Sequence, residues 1–460
     1  MPDTSAQPQL EAQELAHKSP ETAGAPLESL DQSLAKLAKY GGFDFLEAGI
    51  DGVQSLNPER KARKNIFLTD SGKKGERADL KKKLALWLDL LQSSNDISEM
   101  ADICTKKTEE ASATLKKNLK KALDTSRELE VSYRSLNLFY KNTESDKLKN
   151  VTIVNAAPDQ IKDLDAPKFI EYVSNELKQN YDRLDLRNNY SILCLPGYLG
   201  SNAVVEKWAK IAHDNKVMLV TDFMDVDNPD DTIDMFQEAN LTGGEIHRSS
   251  VMMAANYLVG RKKDEEAEEE DDVRVPPSAA LAGKLYYTLM SQVTAGKKHG
   301  GMNEVEGVRF DLKKSEISAM DRAGLIPMVN EYGKVMAFSS KTLFNGDNIG
   351  LQTYSVVRVF DYINKVLIDF LNRRAFENWT SKTENELRTQ IVKFLDTVKG
   401  PDKLIEKFRV VRFERDENQK DKIYLDINIT PYFPAKSFML KLDGHKGDDG
   451  AEWKTNTEQQ

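Results

Sequence analysis

Five aspartates crowd the chain directly after an apolar run: Asp222, Asp225, Asp227, Asp230 and Asp231 follow Val217-Met218-Leu219-Val220. Carboxylates at a strand end can gather a hard cation such as calcium or magnesium, which takes oxygen ligands. The spacing does not suit it: counting from Asp225, the sixth position is not glycine, and Pro229 interrupts the loop. Aspartate at a helix start also has an ordinary reason to be there, since it caps free amides and offsets the helix dipole. Gly197-Tyr198-Leu199-Gly200-Ser201 follows another apolar run and would cradle phosphate only with the lysine and spacing of a P-loop, which it lacks. A plain β–α turn is the reading. His17, His213, His247, His299 and His445 are scattered without an HExxH pair, and Glu245 and His247 stand two apart, on different sides of any helix. The expectation is therefore no catalytic residue, no metal and no cofactor, with a metal-dependent α/β enzyme built on the aspartates as an alternative.

Composition narrows the class further. The chain has 460 residues, 65 Lys and Arg against 74 Asp and Glu, and a formal net charge of −9. Such a chain has no general attraction for nucleic acid or an anionic membrane. The only cysteines, Cys104 and Cys194, form no CxxC pair, which favours a reducing compartment. No apolar run approaches the roughly 18–20 residues of a spanning helix, and the polar N-terminus lacks a signal-peptide pattern. A soluble, cytoplasmic protein without membrane insertion is expected, with two to four domains.

The fold class that must position these residues reads as α/β (α+β) and multi-domain. Residues 1–26 are polar and should be disordered. Leu27, Leu30, Leu34 and Leu37 then recur at helical spacing, so 27–60 holds short helices that either dock on their own chain or serve as a handle. Within 61–150, Ile66, Phe67 and Leu68 form a brief extended candidate that needs a sheet to join. Leu80, Leu84, Trp87, Leu88 and Leu91 form a helical stripe, and a charged helical region follows with Leu115, Leu119, Ala122 and Leu129 on one face. Within 151–300, strands at 151–154, 192–195 and 217–220 alternate with helices near 158–180, 202–214 and 230–238, which suits a partly parallel sheet. Residues 264–272 carry eight carboxylates in nine positions and should be a solvated, mobile loop.

Residues 301–442 read as a core domain with two long amphipathic helices, 354–372 and 383–398. Ile423, Leu425, Ile427 and Ile429 alternate with polar residues as a half-buried strand, paired across the turn 416–421 with 408–413. Phe438, Leu440 and Leu442 mark one more extended segment, which either closes its own sheet or pairs with another subunit by strand addition. The tail 443–460 is expected to be disordered.

A stretch from about 273 to 400 resembles the contractile tail-sheath proteins of phages and related injection machines. Val275-Pro276-Pro277-Ser278-Ala279-Ala280-Leu281-Ala282-Gly283 is similar to that family's VPPSxAxAG segment, and Val305–Leu312 to the strand after it. Ser315–Leu325, Val335–Leu343, Tyr354–Phe360 and Phe376–Thr380 resemble its later segments in order. Ser339-Ser340 departs from the phage pattern, and so do the acidic insert and the helical front third. The helical front third, the strongly charged acidic chain and the expected cytoplasmic character resemble the large sheath subunit (TssC/VipB-like) of the bacterial type VI secretion system, with the sheath of a phage-like particle as the alternative.

The resemblance implies a structural subunit. It would polymerise with a small sheath subunit (TssB/VipA-like) and with copies of itself around an inner tube (Hcp-like) on a baseplate, contract to drive effector injection, and be recycled by an AAA+ unfoldase. It implies that Ile66–Leu68 and the strands of Ile423, Leu425, Ile427, Ile429, Phe438, Leu440 and Leu442 link subunits. Leu80, Leu84, Trp87, Leu88 and Leu91 would pack on the small subunit, and Leu27, Leu30, Leu34 and Leu37 would form the unfoldase handle. Lys382, Glu384, Glu386, Arg388 and Lys393 are candidates for contact with the tube, against a solvated helix face.

Overall fold

The computed structural model describes residues 66–143, 148, 150–436, 438–446 and 451–459. The chain falls into two units, one ending at Asn118 and the other starting at Leu119. Residues 27–37, the proposed handle, lie outside the described residues.

In the first unit, 66–69 is a helical turn, which corrects the extended reading of Ile66, Phe67 and Leu68. A short apolar run does not distinguish strand from helix by periodicity. Here local bonds decide: the Asp70 amide donates to the Ile66 carbonyl at 2.9 Å, and Arg77 Nη1 donates to the carbonyls of Phe67 at 2.7 Å and Asp70 at 2.6 Å. A 3₁₀ turn, Ser71–Lys73, leads into α1 (Lys74–Ser93), and α2 (Ile97–Lys141) runs 45 residues across the unit boundary.

The second unit is organised around a sheet. After α3 (Pro158–Lys162) and α4 (Lys168–Tyr181) come β1 (Ile192–Tyr198), α5 (Asn202–Asp214), β2 (Met218–Asp222), α6 (Pro229–Ala239) and β3 (Val251–Ala255). Then follow β4 (Leu258–Arg261), β5 (Val273–Val275), α7 (Ser278–Tyr287), α8 (Gly296–His299), β6 (Gly307–Val308), α9 (Lys314–Ala323), β7 (Ile326–Glu331) and β8 (Lys334–Ala337). The main sheet has the order β1-β2-β3-β7-β8, parallel through β7 and closed by the antiparallel β8. β4, β5 and β6 make a small antiparallel sheet beside it.

Both faces of the main sheet are covered, as a parallel sheet requires. Leu219 of β2 and Val251 and Met253 of β3 join Trp208 and Phe236 in one core. Their alternates Met218, Val220, Met252 and Ala254 join Leu281, Leu138 and Tyr354 in another. The strands follow one another in chain order, so the sheet has no reversal of strand order of the kind that opens a ligand crevice in doubly wound folds.

Two further expectations are corrected. Residues 151–154 pair with no described strand, and Val151, Ile153 and Val154 are exposed. The helix expected at 158–180 is two, broken where Asp163 Oδ1 accepts from the amides of Asp165 and Ala166 ahead of Pro167.

A third core joins α10 (Tyr354–Asn372), α11 (Ser381–Val398), β9 (Ile405–Arg415) and β10 (Ile423–Pro431). The β9–β10 hairpin forms, with Leu425, Ile427 and Ile429 against that core. β11 (Phe438–Lys446) pairs antiparallel with β12 (Ala451–Gln459), from Phe438 opposite Gln459 to Lys446 opposite Ala451. This corrects the disordered tail over 443–446 and 451–459: backbone groups satisfy one another whatever the side-chain polarity.

Candidate functional site

The aspartates do not converge. Asp222 at the end of β2 is fully buried and accepts three hydrogen bonds, from the Gly197 amide at 2.8 Å, the Ser278 amide at 2.7 Å and Ser278 Oγ at 2.5 Å. Burial lifts its carboxyl to about 7, against the pull of those three donors. Asp225 pairs with Arg309 and Arg274, and Asp227 with Arg309. Asp230 and Asp231 lie in the first turn of α6, capped by Asn228, whose Oδ1 accepts the Asp231 amide at 2.8 Å. Among the described residues no three His, Cys, Asp or Glu side chains gather around a common point.

The Gly197–Ser201 turn is likewise structural. Gly197, at φ +94°, gives its amide to Asp222, and Ser201 caps α5 by accepting the Val204 amide. Asp222 thus ties three chain segments together: the β1 turn, the end of β2 and the first turn of α7. The two prolines ahead of Ser278 stop β5 and set the helix entry. Five residues on, a Cβ at Gly283 would sit 2.3 Å from the Phe139 carbonyl oxygen, so only glycine lets α7 meet the end of α2 this closely.

The acidic loop departs from its expectation. Glu269 has a side chain only 2% exposed and meets Arg261 at 2.6 Å, and Arg261 also bonds Glu130 of α2 at 2.9 Å. Arg127 adds a charge 3.5 Å from Glu269 and donates to the Asp271 and Asp272 carbonyls. The loop is pinned by alternating charges rather than left to repel itself. A charge count along the sequence misses this because the countercharges lie on α2 and β4.

On α1 only Leu88 is buried; Leu84 and Leu91 are half-buried, and Leu80 and Trp87 are exposed. On α2, Leu115, Leu119 and Leu129 are exposed too. The five charged candidates on α11 divide. At 100° per residue, Lys382, Glu386 and Lys393 lie opposite the buried Leu387, Ile391 and Leu395, on the outer face. Glu384 and Arg388 pair with each other at 3.6 Å, and Arg388 donates to the Phe413 carbonyl of β9. Of the strand candidates, Leu425, Ile427 and Ile429 face their own core, while Ile423, Phe438 and Leu440 are exposed. The β9–β10 and β11–β12 ladders are separate two-stranded sheets among the described residues.

Sequence reading overlooked a charged set inside α10. Arg358, Asp361 and Lys365 interrupt its apolar face at helical spacing, and Arg358 and Lys365 are buried. Charges on a stripe shared with Tyr354 and Val357 were the available signal.

Family models match nearly the whole chain: "TssC/VipB-like, N-terminal region" over residues 30–119, "Type VI secretion system TssC/VipB, central domain" over 121–345, and "TssC/VipB-like, C-terminal domain" over 353–459. No curated protein matches the sequence. Among solved structures, the chain is similar to the anti-feeding prophage helical sheath in its contracted state, at 16% identity and a TM-score of 0.47, over 68% of this chain and 81% of that one. It is also similar to a sheath tail protein from Desulfitobacterium hafniense, at 14% identity and a TM-score of 0.41, over 64% of this chain and 59% of that one. Likeness at these scores is too low to bear on function.

Proposed function

This chain belongs to the TssC/VipB family of the type VI secretion system and is a contractile-sheath subunit, and from that premise we propose how it works. It polymerises in the cytoplasm with a small sheath subunit around an inner tube, and contraction of the polymer drives the tube outward. Its role is mechanical rather than catalytic. Energy is stored at assembly in interfaces not yet made and released when subunits reach a better-packed arrangement, so the chain itself needs no nucleotide.

The observation that carries this reading is the C-terminal ladder β11–β12, which among the described residues has two strands and joins no other sheet, short of the strands that stabilise a sheet. A ladder of this kind is completed by a strand from a neighbouring subunit, because backbone pairing tolerates side-chain repacking as bodies move. Exposed Phe438 and Leu440 and the open apolar positions Leu80 and Trp87 of α1 support contacts with other chains. On the outer face of α11, Lys382, Glu386 and Lys393 are the residues proposed to meet the tube. An AAA+ unfoldase acting on residues 27–37 would recycle the polymer.

Removal of residues 434–460 tests the linking role. Co-expressed with the small subunit, the shortened chain should form heterodimers but no long tubules. Tubules of normal length would contradict it.

A further inference from the structure

A cleft of about 420 Å³ opens between α10, the segment before β1 and the start of β2. Arg358, Asp361, Lys365 and Asp369 line it from α10, with Lys216, Arg187 and Asn189 across from them. The charges there do not balance. Asp369 is committed to the Leu186 amide and to Arg373, and Arg187 to Asp185. That leaves Arg358, Lys365 and Lys216 around one carboxylate, Asp361.

Arg358 is the least satisfied of these. It is 7% exposed, Nη2 donates only to the Leu285 carbonyl at 3.2 Å, and Nη1 has no acceptor among the described residues. No carboxylate lies in salt-bridge reach of it among those residues. A buried guanidinium without a countercharge is costly, and such groups are ordinarily paired. Lys365 sends one hydrogen to the Tyr190 carbonyl at 2.7 Å and keeps donors to spare. Burial holds Lys365 down to about 8, against the pull of Asp361, and Arg358 to about 10, the direction that burial gives a cation.

The geometry points to this cleft as a binding site for an oxyanion group, a carboxylate or a phosphate, clamped by Arg358, Lys365 and Lys216. A guanidinium fork suits either group, and the cleft has room for the small molecule or acidic side chain that carries it. The anion would neutralise Arg358 and lock α10 against the β1–β2 end of the sheet.

The test is thermal unfolding of the full-length chain with inorganic phosphate, against sodium chloride at equal ionic strength. Saturating phosphate should raise the wild-type Tm by about 3 °C. The rise should vanish in Arg358→Met and shrink in Lys216→Met; the latter sits at the rim and serves if the former does not fold. No rise in the wild type, or an equal rise in the variants, overturns the assignment. A second arm, which rests on the assembly reading, repeats the titration on polymer formed with the small subunit. A rise lost on assembly assigns the site to a neighbour's acidic side chain, and a rise that persists assigns it to a free anion. Failure of the polymer to form counts against the assembly reading, while the unassembled chain still decides the site.

Discussion

Ser278 Oγ donates to Asp222 Oδ2 at 2.5 Å, joining the first turn of α7 to the end of β2 across 56 residues of sequence. The same carboxylate takes the Ser278 and Gly197 amides, so one buried side chain fixes where a helix and a loop meet the sheet. Removing one partner of such a group strands the others without acceptors or donors. Ser278→Ala should cost about 1–3 kcal/mol in chemical denaturation, and a cost below a few tenths would show the clamp to be dispensable.

Asp222 also predicts a pH dependence. Its folded value is raised to about 7 from an ordinary 3.8, so its contribution is fully present below about pH 4 and is lost as pH rises through 7. Half-buried His213, held below its usual value by burial, acts in the opposite direction, so the variant difference is the clean observable. Between pH 5 and 8 the wild type should lose stability relative to Asp222→Asn, by at most about 1.4 kcal/mol per pH unit. A difference independent of pH would contradict the assignment.

Gly283→Ala should destabilise, because the added Cβ meets the Phe139 carbonyl oxygen at 2.3 Å, backbone that has no rotamer to yield. Overpacking of this kind costs about 1–3 kcal/mol. Limited proteolysis should report earlier cutting near the end of α2, and an unchanged cutting pattern and Tm would refute the close-approach account.

Glu269 is the keystone of the acidic loop. Arg261 holds its carboxyl well down, to about 2, through a paired hydrogen bond. Its contribution is present above the ordinary carboxylate range and is lost as pH falls from about 4.5 through 2. Glu269→Ala leaves Arg261 with Glu130 and the Lys262 carbonyl and should cost about 3 kcal/mol, whereas alanine at the exposed Glu266 should change stability by less than about 0.5 kcal/mol. Equal effects would mean that the loop is merely solvated.

Much of this was legible because it is local. Helices α5 and α6 follow their apolar stripes and caps, and the β9–β10 hairpin follows the alternation of Ile423, Leu425, Ile427 and Ile429. What escaped depends on distant partners. Ile66–Leu68 has strand composition, but a downstream arginine and aspartate close it into a helical turn. Residues 264–272 read as repulsive until Arg261 and Arg127 are brought alongside. The polar strand β12 carries no apolar period, and its pairing is visible only in the backbone ladder. The Val275–Gly283 motif was conspicuous in sequence, yet its reason, Asp222 at one end and Phe139 at the other, lies in the fold.

The central claim is that this chain is a polymer-forming sheath subunit. Electron microscopy of the chain co-expressed with the proposed small sheath subunit measures that most directly. Long hollow tubules containing both chains are the predicted result. A discrete, unassembled complex under the same conditions, with both chains folded, would contradict it.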